Sequence, residues 1–255
     1  MKAILLECYQ DTAAFSVPPW FDSRRLTFPL PPYSTVIGMI HAACGWSRYH
    51  PLKISISGNG IENQTITRMW KGGLVGSETE EFKKRFPVRF PAGNDRVVGW
   101  VDVPTCVDFI TDLSLKIYIS ADNEQENLEI MHGLLYPRRF LSLGRHEDVV
   151  RVDNVQEVEV LDAKADDVVT VPFDSYVPRE SVYNSENESG TVFRLHKDYE
   201  IIRDRRIFND IQSYLISDGA ECRLYSPRTY DPEGNFLYMN SLLIDKSSGN
   251  PVFFA

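Results

Sequence analysis

Cysteine is scarce in this 255-residue chain, and it follows no pattern. Cys8, Cys44, Cys106 and Cys222 are scattered without a CxxC pair. That argues against a zinc or disulfide framework and for a reducing, cytoplasmic setting. No apolar run approaches the roughly 20 residues that span a bilayer, so no membrane partner is expected. Glu7 interrupts MKAILLECYQ too early for a signal-peptide core, and the segment reads as a first strand. Also missing are a GxSxG elbow, a Walker loop, HExxH, and GxGxxG after a strand. The five histidines share no metal-ligand spacing, so neither a metal nor a cofactor is expected. There is no internal repeat and no low-complexity tail.

Positive charge is also in short supply, with 27 Lys+Arg against 36 Asp+Glu and a net charge of -9. Taken alone, this argues against nucleic acid. The distribution changes the reading. Residues 1–151 hold 17 of each sign, so all the net acidity lies in residues 152–255. Residues 68–96 are locally basic, with Arg68, Lys71, Lys83, Lys84, Arg85, Arg89 and Arg96 against four acids. A solvated face and a phosphate-binding face both fit that run.

What is present is regular alternation and two unusual stretches. KISISG (53–58) and QTITRMW (64–70) read as strands around a turn at Gly58-Asn59-Gly60, and LSLKIYIS (113–120) as another strand. Asn123 to Leu135 fits a helix with Leu128, Met131, Leu134 and Leu135 on one side. Residues 71–100 are glycine-rich and basic, with a short charged helix near Glu80 to Arg85. They read as an excursion without a core of its own, ordered by partners. The order strand, helix, strand, strand, helix, strand predicts a split βαβ, ferredoxin-like domain over 1–151. Alternating runs from about 152 onward predict a smaller β-rich domain over 152–255, or an extension of the first sheet.

The first unusual stretch is LTFPLPPYSTVIGMIHAACGW (26–46). Ser34 is the expected N-cap of a helix presenting Val36, Ile37, Met39, Ile40 and Ala43 on one face, with Gly45 closing it. Gly38, Ala42 and Ala43 carry almost no side chain, which predicts close packing on a sheet. His41 on this helix could serve a nuclease as general base, and Arg48, Tyr49 and His50 make a ribonuclease-like cluster. A structural role is preferred for each. The second stretch is YPRRFLSLGRHEDVV (136–150), where Gly144 precedes Arg145. Backbone N–H groups and a guanidinium could converge there on a phosphate. A tight turn with Arg145 paired to Glu147 or Asp148 is the alternative.

Three features together resemble the CRISPR-associated Cas-five family of the RAMP superfamily: the first strand running into Ala14-Phe15, FPLPPYSTVIGMIHAACG (28–45), and LSLGRHED (141–148). Length and the form FPLPPYSTVIG look most like the type I-B branch. The resemblance implies an α+β fold, with a ferredoxin-like, RRM-like domain, a β-hairpin thumb at about 71–100 and a smaller C-terminal β-rich domain. It implies a non-catalytic subunit of a type I Cascade complex that holds the 5′ handle of the CRISPR RNA. Partners would be the backbone (Cas-seven-type) and large (Cas-eight-type) subunits, with target DNA reached indirectly. The RNA-binding residues it implies are Arg24, Arg25, Tyr33, Ser34, Thr35, Arg68, Lys71, Lys83, Lys84, Arg85, Arg89, Arg139, Gly144, Arg145 and His146. Type I-C relatives look as though they cut precursor RNA with a Tyr, a Lys and a His, without metal. Here Trp46 stands where that Tyr is expected, and Lys197 follows His196 far downstream. That departure disfavours catalysis and leaves the endoribonuclease as the alternative.

Overall fold

The first strand, β1 (Lys2–Ala13), buries Ala3, Ile4, Leu5, Leu6 and Cys8 in succession. A strand apolar on both faces belongs in the middle of a covered sheet. It pairs antiparallel with β5 (Arg96–Ala121) on one side and β6 (Arg151–Asp162) on the other. The computed structural model describes residues 1–18, 24–183, 191–203, 205–231 and 234–255, with 69–73 described by backbone alone. The protein is mostly β-sheet, with three α-helices among the described residues.

The chain divides into two compact units: Met1–Phe15, Phe28–Ile61 and Ile110–Ala255 form the first, Ser16–Thr27 and Glu62–Phe109 the second. This differs from the division at 151/152 drawn from composition, because β6 begins at Arg151 and pairs along β1. The remaining strands of the first unit are β3 (Leu52–Ser77, its first part), β7 (Val168–Thr170), β8 (Asp174–Pro178), β9 (Thr191–Ile202), β10 (Arg205–Ile216), β11 (Glu221–Leu224), β12 (Phe236–Met239), β13 (Leu243–Asp245) and β14 (Pro251–Val252). The main sheet runs β14-β13-β6-β1-β5-β3-β8-β10-β9, and β12-β11-β7 form a small second sheet. Strands after residue 151 thus extend both edges of the main sheet.

Three helices complete the chain: α1 (Tyr33–Cys44), α2 (Glu80–Arg85) and α3 (Glu124–Leu135). The face of α1 read from the sequence is buried as expected, joined by Tyr33. Its cap is not Ser34. Pro32, at φ -59° and ψ 150°, is the N-cap and offers no side-chain acceptor. Proline fixes the turn into the helix and supplies no side-chain cap, although its carbonyl accepts the Thr35 N–H at 3.0 Å. Gly38 is also corrected: it is exposed, and a Cβ there would meet nothing within 4 Å. Only Gly45, at φ 69°, plays its predicted closing role.

Two further expectations fail for physical reasons. Residues 58–60 form no turn, since β3 runs straight through them. A Cβ at Gly58 would lie 2.5 Å from the Ser114 carbonyl oxygen, and one at Gly60 2.4 Å from an Ile110 methyl. Both glycines permit close strand approach. Helix α3 buries Asn127, Ile130, Gly133 and Leu134, while Leu128 and Leu135 are exposed. Its sheet-facing stripe is rotated from the more apolar one in the sequence.

In the second unit β2 (Arg24–Arg25) and β4 (Val88–Gly93) pair with β5. Residues 71–100 do have a small core of their own. Phe86 is buried, its ring 4.7 Å from Phe82, and Gly99 and Gly76 lie flat against these two rings. Thr79 caps α2 by accepting the Phe82 N–H at 3.2 Å.

Candidate nucleic-acid interface

The first unit contains a cleft of about 450 Å³ where the outer face of α1 meets the β9–β10 hairpin. Helix α1 contributes Ser34, Thr35, Gly38 and His41, all on the side turned away from its buried stripe. Without a Cβ at position 38 the floor stays open. The loop after Gly45 brings Trp46, Arg48 and Tyr49, and the hairpin brings Lys197, Asp198, Tyr199, Arg206 and Phe208.

Aromatic contacts hold these walls in place. Trp46 stacks on His50 at 4.0 Å and donates its Nε1–H to Glu129 at 3.2 Å, while His50 Nδ1 lies 3.0 Å from Glu126. His41 packs edge-on to Trp46 at 5.2 Å and against Tyr49 at 5.9 Å. Opposite, Arg206 lies over the Tyr199 ring at 4.7 Å and Phe208 stacks on His196, whose Nδ1 meets Asp210. Burial pushes the His41 imidazole below its usual range, so it is neutral at neutral pH. Burial and the neighbouring Asp198 raise the Tyr49 phenol. Arg48 and Lys197 meet no carboxylate among the described residues. The cleft therefore offers cations, neutral rings and a helix N-terminus without a side-chain cap, the set that accepts phosphates and stacks bases. Asp198, which accepts from Asn209, is a carboxylate in its lining.

Of the residues proposed from sequence, Ser34 and Thr35 line this cleft. Tyr33 does not. It is fully buried, with its hydroxyl 3.3 Å from Ser213 Oγ and its ring 6.1 Å from Tyr176. Tyr33 packs the helix and offers no surface to a ligand.

The Gly-Arg turn resolves toward its alternative. Arg145 grips Asp148 with a fork, Nε to Oδ2 at 3.0 Å and an outer nitrogen to Oδ1 at 2.7 Å, and also reaches Glu147 at 3.3 Å. Asp148 is completely buried and accepts the Arg145 and Ala14 N–H groups as well. Gln10 donates to the carbonyls of Leu143 and Asp148, closing the turn onto β1. Gly144 sits at φ 105°, where a Cβ would lie 2.9 Å from the Ala14 carbonyl oxygen. Its role here is steric. His146 is exposed beside Glu147, and Arg139 is exposed without a carboxylate partner among the described residues.

The basic residues of the second unit are placed separately. Arg24 pairs with Asp108 at 3.1 Å, Arg25 is half-buried beside it on β2, and Arg68 pairs with Asp102 at 2.8 Å. Lys83 pairs with Glu80, Lys84 is exposed, and Arg85 lies over the Phe86 ring at 5.3 Å. Arg89 turns inward, donating to the Phe86 carbonyl at 2.5 Å and facing Glu78 at 3.5 Å. The Lys71 side chain lies outside the described residues. The sequence reading did not bring Arg48, Lys197, Tyr199, Arg206 and Phe208 together as one candidate site, placing Arg48 only in a cluster with Tyr49 and His50. Their separation of about 150 residues hid them, and only the alternation of TVFRLHKDYEII hinted at a strand exposing Lys197.

Among the described residues no group of three or more His, Cys, Asp or Glu could hold a metal ion, and no helix is long and apolar enough to cross a membrane. No curated protein matches the chain. Among solved structures, a chain of a "CRISPR RNA-guided surveillance complex" is similar at 18% identity and a TM-score of 0.53, covering 86% of this chain and 91% of that one. A CRISPR protein from Archaeoglobus fulgidus is similar at 12% identity and a TM-score of 0.39, covering 99% and 98%. The fold is thus shared with a CRISPR surveillance-complex chain, and residues 3–210 match a family of their own. By that match, which takes in β1, α1, the Gly-Arg turn and most of the cleft, the chain belongs to the CRISPR-associated protein (Cas_Cas5) family.

Proposed function

We propose that this chain is a non-catalytic, RNA-binding subunit of a type I (Cascade) surveillance complex, holding the 5′ handle of CRISPR RNA in antiviral defence. The observation that carries the reading is the cleft between α1 and the β9–β10 hairpin. There a chain of net charge -9 leaves Arg48 and Lys197 without carboxylate partners among the described residues, beside Trp46, Tyr49, Tyr199 and Phe208. The order β6-β1-β5-β3, antiparallel at both edges of β1 and combined with α1 and α3, supports a ferredoxin-like layout. The second unit, with its paired strands and α2, supports the thumb reading. Backbone and large subunits of a type I-B complex are the protein partners proposed, in the cytoplasm.

Binding of a fluorescent RNA carrying the repeat-derived 5′ handle, titrated with salt, tests this. Simultaneous reversal of Arg48, Lys197 and Arg206 to Glu should abolish retention at physiological salt. Unchanged retention would move the RNA site elsewhere.

The alternative is a metal-independent endoribonuclease, and one observation favours it. His41, Tyr49 and Lys197 share the cleft although the sequence separates them. Against it, Tyr49 holds its proton more tightly than a free phenol, and His41 Nε2 already faces the His50 backbone. Cleavage of precursor RNA in EDTA by the pure protein, lost in His41→Ala, would decide for the enzyme.

A further inference from the structure

Helix α3 carries two apolar stripes. One faces the sheet through Ile130, Gly133 and Leu134. The other follows i, i+3 and i+7 spacing through Leu128, Met131 and Leu135, and continues into Tyr136. This second stripe is left open, with Leu128 46%, Leu135 50% and Tyr136 70% exposed. Just beyond it Phe140 is 96% exposed. Such an arrangement wastes apolar surface on an isolated chain.

A groove of about 440 Å³ adjoins these residues, walled by Leu134, Leu141, Val150 and Val152. Arg138 and Arg139 line the same groove, and no carboxylate does. The acids of α3 are engaged elsewhere: Glu124 with Lys2, Glu126 with His50 and Glu129 with Trp46. Neither arginine has a carboxylate partner among the described residues.

We infer that this groove docks a segment of another protein subunit, one that presents apolar side chains to Phe140, Tyr136 and the aliphatic walls and acidic side chains to Arg138 and Arg139. Phe140 and Tyr136 offer rings to bases as well. The groove itself, however, is walled by Leu134, Leu141, Val150 and Val152, a concave aliphatic lining that takes apolar side chains rather than flat bases and so favours protein over RNA. Two unpartnered arginines select an acidic partner. A second copy of this chain is disfavoured, because an isologous contact sets the same patch on itself and brings the arginines of both copies together. The exposed aromatic ring beside arginine matches the residue types that dominate binding energy in protein interfaces. The inference rests on the chain working within a multi-subunit complex and is independent of the RNA cleft.

The test uses the full complex assembled in cells around a tagged chain. A photo-crosslinking benzophenone amino acid at position 140 should join this chain to one other protein subunit, at a segment mixing apolar residues with Asp or Glu. Phe140→Ser combined with Leu135→Ser should cut co-purification of that subunit at least tenfold. Tagged-chain yield and melting temperature should stay unchanged, since both side chains already face solvent. RNA binding by the isolated chain should also be unaffected, which separates failure here from failure of the cleft reading. Crosslinks to RNA, to a second copy of this chain or to a basic segment would overturn the inference, as would full retention of every subunit by the double variant.

Discussion

Two arginine-bearing regions of this protein lie within one unit and treat their charge in opposite ways. In the turn from Leu141 to Val150, Arg145 is held by both oxygens of a buried Asp148, which in turn fixes the Ala14 N–H. In the cleft on α1, Arg48 and Lys197 form no ion pair among the described residues, and Arg206 lies over the face of Tyr199. The first arginine stabilises a loop that would otherwise bury a lone carboxylate. The second set has no carboxylate in ion-pair contact among the described residues, which leaves its charge open to an anionic ligand. A glycine-arginine pair in a sequence does not distinguish the two cases. The presence of an acid three residues later, buried by its neighbours, does.

The comparison breaks most sharply at Asp148. Asp148→Leu should destabilise the chain by about 2–4 kcal/mol in urea titration, because it leaves the Ala14 and Arg145 N–H groups without their acceptor, while the partly exposed Arg145 guanidinium keeps Glu147. Asp148→Asn, which keeps one acceptor, should cost less. A loss below about 1 kcal/mol for the leucine variant would mean that the turn is not held by the ion pair.

Charge reversal in the cleft should leave stability alone and act on affinity. Lys197→Glu alone should weaken RNA binding by about 1–3 kcal/mol and flatten the salt dependence by about one phosphate contact. Arg145→Ala should instead lower the melting temperature and change the salt slope little. If the two variants exchange behaviour, the assignment of structural and ligand-binding arginines is reversed.

Gly38→Ala sharpens the cleft side. A mid-helix glycine with open space around its Cβ position should gain about 1 kcal/mol on becoming alanine. A more stable protein with weaker RNA binding would show that the glycine serves the cleft floor. Destabilisation would instead mean that the helix packs where it is described as open.

The smallest effect concerns pH. His41 is lowered by burial, so the unfolded chain binds its proton more readily than the folded one. Stability from this group is complete above the unfolded value near 6.5 and is lost as pH falls through the interval below it. Wild type should therefore lose more stability than His41→Asn between about pH 7 and 5, measured by thermal melts. An equal loss would place His41 in solvent.

Periodic features were legible in the sequence. The buried stripe of α1, the bounds of α2 and the extent of α3 to Leu135 all followed from spacing and charge. Caps were not: Ser34 was expected and Pro32 is found, and the Asn123 cap of α3, which accepts the Glu126 N–H at 2.8 Å, was not singled out. Position-specific glycines were not legible. Gly58 and Gly60 suggested a turn, yet they serve close approach to Ser114 and Ile110, a contact fixed some 50 residues later in the chain. Gly38 suggested close packing, yet it faces a cleft. The cleft itself joins residues near 48 to residues near 206, and neither local pattern nor composition registers a meeting at that separation.

The position of β1 has a consequence for synthesis. Its partners are residues 110–119 of β5 and 151–159 of β6, so the strand leaves the ribosome long before either exists. At about 5–20 residues per second, β1 waits roughly 7–30 s for β6, with Ile4, Leu5 and Leu6 uncovered. Pairing across such distances is slow to nucleate and exposed to aggregation while it waits. This central strand, with its buried run from Ala3 to Leu6, is thus a vulnerable segment during translation, and chaperone occupancy should peak before codon 160 is decoded.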